Sequence, residues 1–440
     1  MPTTLQSLDA APIGVIVAGG LGTRLGEASR SCPKPMLPIG GMPLIARQIE
    51  QFRRAGIERV VILAGHRAEV IEAQVQAWSD ERCRVEVVVE SRPLGSGGCL
   101  QLVPGNGPRV VAFGDVVFEM DLRALVQAHV ENRARVTAVV HPNDHPHDSD
   151  LAELDPDGRL VALHTKPHPL GLEVRNLVTA GVFVIDAALT RALPRDRKLD
   201  LVHDILFRAH RDGERIYGYE TAEYLKDMGT PSRYRRVCDD WARGLVQGAA
   251  RARRTAFVDR DGTINRHVGY VSRPEQIELL PGVGAAIRSL NRAGVQVVVV
   301  TNQPVVARGM CDEAQLRAIH ARLEGQLGAE GAYLDRLYYC PHHPHRGFEG
   351  ERVELKIECD CRKPGPGLLV RAMDELRVDV GSSAMFGDSL CDAQAGMRAG
   401  VEPILLGAEA RSEALRRGVR WFPHLPAAIA AWLAEEAIAC

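Results

Sequence analysis

Ala18-Gly19-Gly20-Leu21-Gly22-Thr23-Arg24-Leu25, followed by Pro33-Lys34-Pro35-Met36, and, some 240 residues further on, Asp259-Arg260-Asp261-Gly262-Thr263 are the stretches on which the fold of this chain turns. Each follows a short β-branched run, and neither set of residues completes the chemistry of the other. Two sites are therefore expected. Glycines directly after a buried strand let the backbone turn tightly and bring its N–H groups against a phosphate chain. The dinucleotide-binding fingerprint is set aside, because Leu25 stands where its third glycine belongs. Arg24 and Lys34 supply two cations for a triphosphate and a departing pyrophosphate.

Outward from these stretches, buried-strand runs alternate with helical spacing. Val15 to Ala18, Val60 to Leu63, Val85 to Val89, Val110 to Phe113, Val136 to Val140 and Val182 to Ile185 read as strands, and Pro43 to Ala55 and Leu122 to Glu131 as helices. The signal fades after Tyr234 to Trp241 and restarts at Thr255 to Val258. It continues through Val295 to Val300, Leu334 to Tyr339, Ala384 to Phe386 and Pro403 to Leu406. The reading is α/β throughout, each half a mostly parallel sheet wrapped by helices. One domain is expected over 1–242, a linker over 243–254 and a second domain over 255–440.

At 440 residues and 45% apolar content the chain has room for two cores. A formal net charge of −2 leaves no basic excess to hold a polyanion, so small-molecule substrates are expected and nucleic acid is not. No apolar run approaches the roughly 20 residues of a membrane span. The first dozen residues lack the pattern of a signal peptide, so a cytoplasmic chain is expected, of unspecified oligomeric state. Ten cysteines are too sparse for a disulfide scaffold.

The first half resembles the sugar-1-phosphate nucleotidyltransferases over about 235 residues. GGLGTRL at 19–25, PKPMLP at 33–38, PLGSGG at 93–98, GDV at 114–116, Lys166-Pro167 and KDMGTP at 226–231 stand in that family's order. The resemblance implies a Rossmann-like sheet on which a sugar phosphate attacks the α-phosphate in line and pyrophosphate leaves. Asp115 and Asp227 would hold Mg²⁺, Arg24 and Lys34 would grip the triphosphate, and Lys166 would hold the sugar phosphate. Backbone at Gly20 and Gly22 would cradle phosphates, and that around Gly95 would line the base pocket. Thr165 departs from the Glu that many relatives carry before Lys-Pro.

In the second half Asp259 and Asp261, two residues apart after a strand, point to one side and are placed to share a divalent cation. A carboxylate nucleophile needs such a cation and an acid for the leaving alkoxide. Thr301-Asn302-Gln303, Arg362-Lys363-Pro364 and Gly387-Asp388-Ser389 complete a set that resembles the haloacid-dehalogenase phosphatases. That resemblance makes Asp259 the nucleophile and Asp261 the acid, then the base. Thr301 and Asn302 would bind the phosphoryl group, Lys363 would offset its charge with Asp392 orienting it, and Asp388 would complete the Mg²⁺ shell. The fuller pattern, with Gly269-Tyr270-Val271, Ala307-Arg308-Gly309 and the cysteine motif below, looks like the heptose 1,7-bisphosphate 7-phosphatases. Arg308 and Arg362 then become substrate contacts. Histidinol-phosphate phosphatases share much of this framework.

Cys340-Pro341-His342 and Cys359-Asp360-Cys361 give three thiolates and an imidazole at a spacing that suits tetrahedral Zn²⁺. His343 or His345 can in principle replace His342; the family pattern favours His342. With no open position such a zinc is structural. Together the halves suggest a bifunctional enzyme of nucleotide-activated heptose synthesis. A hexose-1-phosphate transferase joined to another phosphatase is the alternative, as is a nucleotide-sugar sensor on a phosphatase.

Overall fold

The computed structural model describes residues 10–20, 32–169, 171–195, 197–246 and 251–439. The chain folds into two compact units. One comprises Met1–His141, Ala152–Leu163 and Thr179–Ala250, and the other Pro142–Leu151, His164–Val178 and Arg251–Cys440.

In the first unit β1 (Ile13–Ala18), β2 (Arg59–Ala64), β3 (Arg84–Val89) and β4 (Arg109–Phe113) run parallel, with Val15 level with Val61 on one side and Val111 on the other. Both faces of such a sheet are covered, which is why these strands read as unbroken Val/Ile runs rather than alternating ones. The helices α1 (Leu44–Arg54), α2 (Ala68–Trp78) and α3 (Leu122–Glu131) belong to this unit, and the side chain of Asp121 caps α3 by accepting from Arg123 and Ala124.

The expectation of a mostly parallel sheet holds only on this side. Val116–Glu119 (β5) leaves the sheet, and β6 (Val136–His141), β7 (Leu151–Leu154), β8 (Leu160–His164), β9 (Val178–Ile185) and β10 (Ile216–Glu220) complete it in the order β8-β7-β9-β4-β1-β2-β3, with β6 joining β9 to β10. β9 runs antiparallel to β4. Among the described residues no crossover helix lies between β7 and β9, and antiparallel neighbours need none. β5 pairs instead with β11 (Tyr224–Asp227) as a separate antiparallel ribbon, which leads into α4 (Pro231–Ala242).

The second unit holds a parallel sheet of β12 (Thr255–Val258), β13 (Gln296–Asn302), β14 (Arg336–Cys340), β15 (Ala384–Gly387), β16 (Glu402–Leu406) and β17 (Arg420–Phe422), ordered β14-β13-β12-β15-β16-β17. Val258, Val297, Val299, Leu323, Phe386 and Trp432 form its core. Two stretches that precede residue 242 in sequence belong to this unit. Asn176 donates its backbone N–H to the buried carboxylate of Glu324 at 2.8 Å, and Arg175 pairs with the same group at 3.3 Å. Among the described residues no helix is long and apolar enough to cross a membrane.

Two candidate active sites and a candidate metal centre

In the first unit Gly20 and Asp115 lie just past the carboxyl ends of the parallel strands β1 and β4, the usual ligand edge of an open α/β sheet. Gly20 follows β1 and is exposed, whereas Gly22 and Arg24 lie outside the described residues. Asp115 sits in the turn between β4 and β5. The ribbon register sets Asp227 opposite Val116, and Met228 donates its N–H to the Asp115 carbonyl at 2.8 Å. Two aspartates more than a hundred residues apart in sequence are thus brought to the same end of one antiparallel ladder.

Each of them faces a cation. Lys34 Nζ stands 3.4 Å from Asp115 Oδ2, and Arg233 Nη1 lies 3.0 Å from both oxygens of Asp227. Sequence reasoning passed over Arg233. It also missed Gln48, a buried residue of α1 whose amide donates to Phe113 O and Val116 O at 2.8 Å each, strapping both ends of the Asp115 turn. Lys226, from the same motif as Asp227, turns away to the buried Asp240 at 2.6 Å and ties the ribbon to α4.

Gly95 adopts φ +80°, and a Cβ there would stand 2.3 Å from Leu199 O, so only glycine fits. Gly97 and Gly98 both donate to that carbonyl, fixing the loop expected to line a base pocket. Lys166 belongs to the other unit by its contacts, and its ammonium lies 2.8 Å from Asp148 O and 3.0 Å from Asp148 Oδ1.

In the second unit Asp259 and Asp261 follow β12, Thr301 and Asn302 end β13, and Asp388 follows β15. Three adjacent parallel strands therefore deliver their terminal residues to one place. Lys363 joins them from the loop after Cys361. Its ammonium, buried to 2% exposure, sits 2.7 Å from Asp259 Oδ1 and 2.6 Å from Asp392 Oδ1, and donates to Val300 O at 2.7 Å. Burial alone would drive its pKa down, but the two carboxylates outweigh that and hold it above the usual lysine range.

Burial pushes Asp259 up to about 7 against the pull of Lys363, and burial with the charge of Asp392 lifts Asp388 to about 6. Asp259, Asp388 and Asp392 each present an oxygen within 4.8 Å of the others, a hard donor set suited to a divalent cation. Asp392 spends one oxygen on Lys363 and the other on the backbone and hydroxyl of Ser389, which leaves Asp259 and Asp388 to face such an ion.

The Asp261 side chain is not part of that group. It is turned onto Arg260, whose Nη2 lies 2.7 Å from Oδ2, and burial notwithstanding this guanidinium holds its pKa below the ordinary value. Gly262 has φ +81°, and a Cβ there would stand 2.0 Å from Asp388 Oδ2. Asn302, read as a substrate contact, accepts from Lys363 N at 2.9 Å and donates to Lys363 O at 3.0 Å, clasping the lysine loop to the strand end. Arg308 lies between the rings of Tyr270 and Phe348, 4.4 and 4.1 Å from their centroids. Arg362 donates to His342 O at 3.3 Å.

Cys340, His342, Cys359 and Cys361 converge. Their sulfurs lie 3.6 Å (Cys340 to Cys359), 3.3 Å (Cys340 to Cys361) and 3.2 Å (Cys359 to Cys361) apart, and His342 Nδ1 is 3.2 Å from Cys361 Sγ and 3.7 Å from Cys340 Sγ. A tetrahedron with metal–sulfur bonds of ~2.3 Å has edges of about 3.7 Å. The donor set therefore fits a four-coordinate metal with slight expansion. His343 points elsewhere, with Nε2 3.4 Å from Arg308, and only His342 joins the group.

A family model described as nucleotidyl transferase matches residues 13–243, and one described as haloacid dehalogenase-like hydrolase matches residues 178–400. The D-glycero-beta-D-manno-heptose-1,7-bisphosphate 7-phosphatase of Escherichia coli K12 is 45% identical over 145 residues, which is 33% of this chain and 74% of that protein. The mannose-1-phosphate guanylyltransferase of Mycobacterium tuberculosis is 32% identical over 240 residues, 54% of this chain and 66% of its own. Among solved structures, a D,D-heptose 1,7-bisphosphate phosphatase from B. bronchiseptica, complexed with magnesium and phosphate, is 34% identical with a TM-score of 0.37, covering 41% of this chain and 99% of that one.

Proposed function

Because the chain belongs to the nucleotidyl transferase family over residues 13–243 and to the haloacid dehalogenase-like hydrolases over residues 178–400, it is a bifunctional enzyme, and we propose that its two sites make a nucleotide-activated heptose in consecutive steps. We take 1–242 and 255–440 as the two catalytic domains and 243–254 as their linker. The second removes the 7-phosphate of D-glycero-D-manno-heptose 1,7-bisphosphate. The first joins the resulting heptose 1-phosphate to GMP from GTP and releases pyrophosphate. What carries the reading is a match of substrate and product: the phosphatase relative, 45% identical, spares a 1-phosphate, and a sugar 1-phosphate is what the other half's resembled family consumes.

At the phosphatase site Asp259 attacks phosphorus while the bond to the sugar oxygen breaks, and Asp261 gives that oxygen a proton. Water then attacks the aspartyl-phosphate with Asp261 as base. Thr301 hydrogen-bonds the phosphoryl oxygens, and Lys363, oriented by Asp392, offsets their charge. Mg²⁺, held by Asp259 and Asp388, supplies further neutralisation when bound. At the other site a 1-phosphate oxygen attacks the α-phosphorus and the bond to the β-phosphate breaks. Lys34 and Arg24 hold the triphosphate, and Asp115 and Asp227 would hold a Mg²⁺ that supplies further charge neutralisation.

The 32% identity to a mannose-1-phosphate guanylyltransferase favours a second reading for the first half, with mannose 1-phosphate as acceptor. Incubating the protein with each of four nucleoside triphosphates and a panel of sugar 1-phosphates, and measuring pyrophosphate release, separates the two. Preference for heptose 1-phosphate with GTP supports the main reading, and preference for mannose 1-phosphate replaces it.

Discrimination between two phosphates on one sugar has to come from contacts remote from the aspartates, which treat any phosphoryl group alike. Arg308, held against the rings of Tyr270 and Phe348, is our candidate for this contact. Arg308→Ala should lower kcat/KM for the bisphosphate by roughly 10²-fold or more while changing that for a simple aryl phosphate by less than about threefold. Equal losses on both would remove Arg308 from specificity.

We assign Zn²⁺ to the Cys340, His342, Cys359, Cys361 group, closed and structural. Purified protein should contain about one zinc per chain. Cys359→Ser should lower the metal content and the melting temperature of the phosphatase, since only Arg362 separates Cys361 from Lys363. Metal-free protein of full phosphatase activity and unchanged melting would refute the assignment.

A further inference from the structure

Lys356 stands in the loop between His342 and Cys359, yet its side chain has 0% exposure. A buried ammonium costs free energy unless it is paired and hydrogen-bonded. This one lies 3.3 Å from Glu351 Oε2, donates to His345 O at 3.1 Å and stands 4.6 Å from the centroid of the Phe348 ring. The same carboxylate oxygen accepts from Phe348 N at 3.0 Å, and Glu351 N donates to Phe348 O at 3.2 Å. One ion pair therefore fixes the backbone of Phe348 through both its donor and its acceptor.

The loop fixed in this way is pressed onto the turn that carries Arg308. Arg352 N donates to Ala307 O at 3.0 Å, and Gly309, with φ +70°, approaches so closely that a Cβ there would collide with Gly350 O. The residues on either side of Arg308 are thus both held to the loop. Phe348 sets its ring centroid 4.1 Å from the Arg308 guanidinium, and Tyr270 sets a second at 4.4 Å. Among the described residues Arg308 forms no ion pair, its Nε is buried without a partner, and its side chain makes one hydrogen bond, from Nη2 to His343 Nε2 at 3.4 Å. A cation fixed between rings but given no anion keeps its charge for a ligand.

We propose that Lys356 is a positioning residue for substrate choice: through Glu351 it holds Phe348 against Arg308, and the guanidinium so presented takes the phosphate of the substrate that is not cleaved. The inference rests on the reading of Arg308 as the contact to that remote phosphate. The ammonium itself has no exposed surface to offer a ligand, so it acts only through the ring and the loop. A lysine that merely closed the loop would affect every substrate alike, and this difference is what can be measured.

Steady-state kinetics of the full-length protein on heptose 1,7-bisphosphate and on p-nitrophenyl phosphate test it. Lys356→Met keeps an unbranched apolar stem and removes the charge. It should raise KM for the bisphosphate by about tenfold with kcat changed by less than about threefold, and should leave kcat/KM for the aryl phosphate within about threefold. Phe348→Leu should show the same selective loss, whereas Phe348→Tyr, which keeps the ring face, should stay within about threefold on both substrates. In an Arg308→Ala background Lys356→Met should add less than about twofold, because the group it positions is gone. If Arg308→Ala slows both substrates equally, the reading of Arg308 fails and the inference with it. If Arg308→Ala is selective but Lys356→Met lowers both substrates alike, lowers neither, or multiplies its effect with that of Arg308→Ala, the inference alone is overturned. Should Lys356→Met not fold, the two Phe348 variants decide, since neither removes a buried charge: Phe348→Leu must lose the bisphosphate selectively and Phe348→Tyr must not.

Discussion

Asp259→Asn is expected to lower phosphate release by more than about 10⁴-fold while leaving pyrophosphate release at the level of the unaltered protein. The amide keeps the shape of the carboxylate but is no nucleophile. It also removes one of the two anions that face Lys363. Asp115→Asn should do the reverse, with a loss of pyrophosphate release of roughly 10²-fold or more, because the ribbon still forms but one of the two carboxylates proposed to hold Mg²⁺ is gone. Coupled assays for phosphate and pyrophosphate on the same preparations check both. A well-folded variant that lost both activities would contradict the assignment of two independent sites.

Lys363→Met should be the most destabilising single change considered. The ammonium lies in a space with almost no access to water and compensates Asp259 and Asp392 together. Removing it leaves the buried carboxylate of Asp392 and the half-buried one of Asp259 without their shared cation, and breaking a buried pair in this way costs about 3–5 kcal/mol. For a unit of this size that corresponds to a fall in melting temperature on the order of 10 °C, readable by calorimetry. Asp392→Asn should cost less, since Asp259 remains to pair with the lysine. A Lys363→Met protein that melts within a degree or two of the unaltered one would show that the pair is not part of what holds this unit together.

The central parallel strands were legible because they are written as β-branched runs, and Val60 to Leu63 or Val297 to Val300 need no long-range information to be seen, whereas Leu151–Leu154, Leu160–His164, Ile216–Glu220 and Arg420–Phe422 carry no such run and were not read. The cysteine group was legible for a similar reason, two short motifs whose spacing already fits a tetrahedron. What escaped was everything fixed by tertiary approach. Gln48 has no local signal, since a glutamine in an amphipathic helix reads as solvent-facing until the Asp115 turn is laid beside it. Arg233 and Arg260 look like ordinary surface cations in sequence, and only their distances to Asp227 and Asp261 give them a place. The pairing of β5 with β11, and the inclusion of Pro142–Leu151 and His164–Val178 in the second unit, depend on partners about a hundred residues away or more. Asn302 was found by its motif, but its hydrogen bonds go to Lys363.

The enclosure of Lys363 also makes it a clock. Reagents that acylate amines react with the neutral form of a lysine that water can reach, and this one is held charged and sealed by its two carboxylates and the Val300 carbonyl. Lys166, at 48% exposure, would be labelled at once, whereas Lys363 can be labelled only in those moments when the loop following the cysteine group lifts from the end of β13. Mass-spectrometric labelling of this one residue therefore records how often the phosphatase site opens in the intact chain, without a substrate and without measuring turnover.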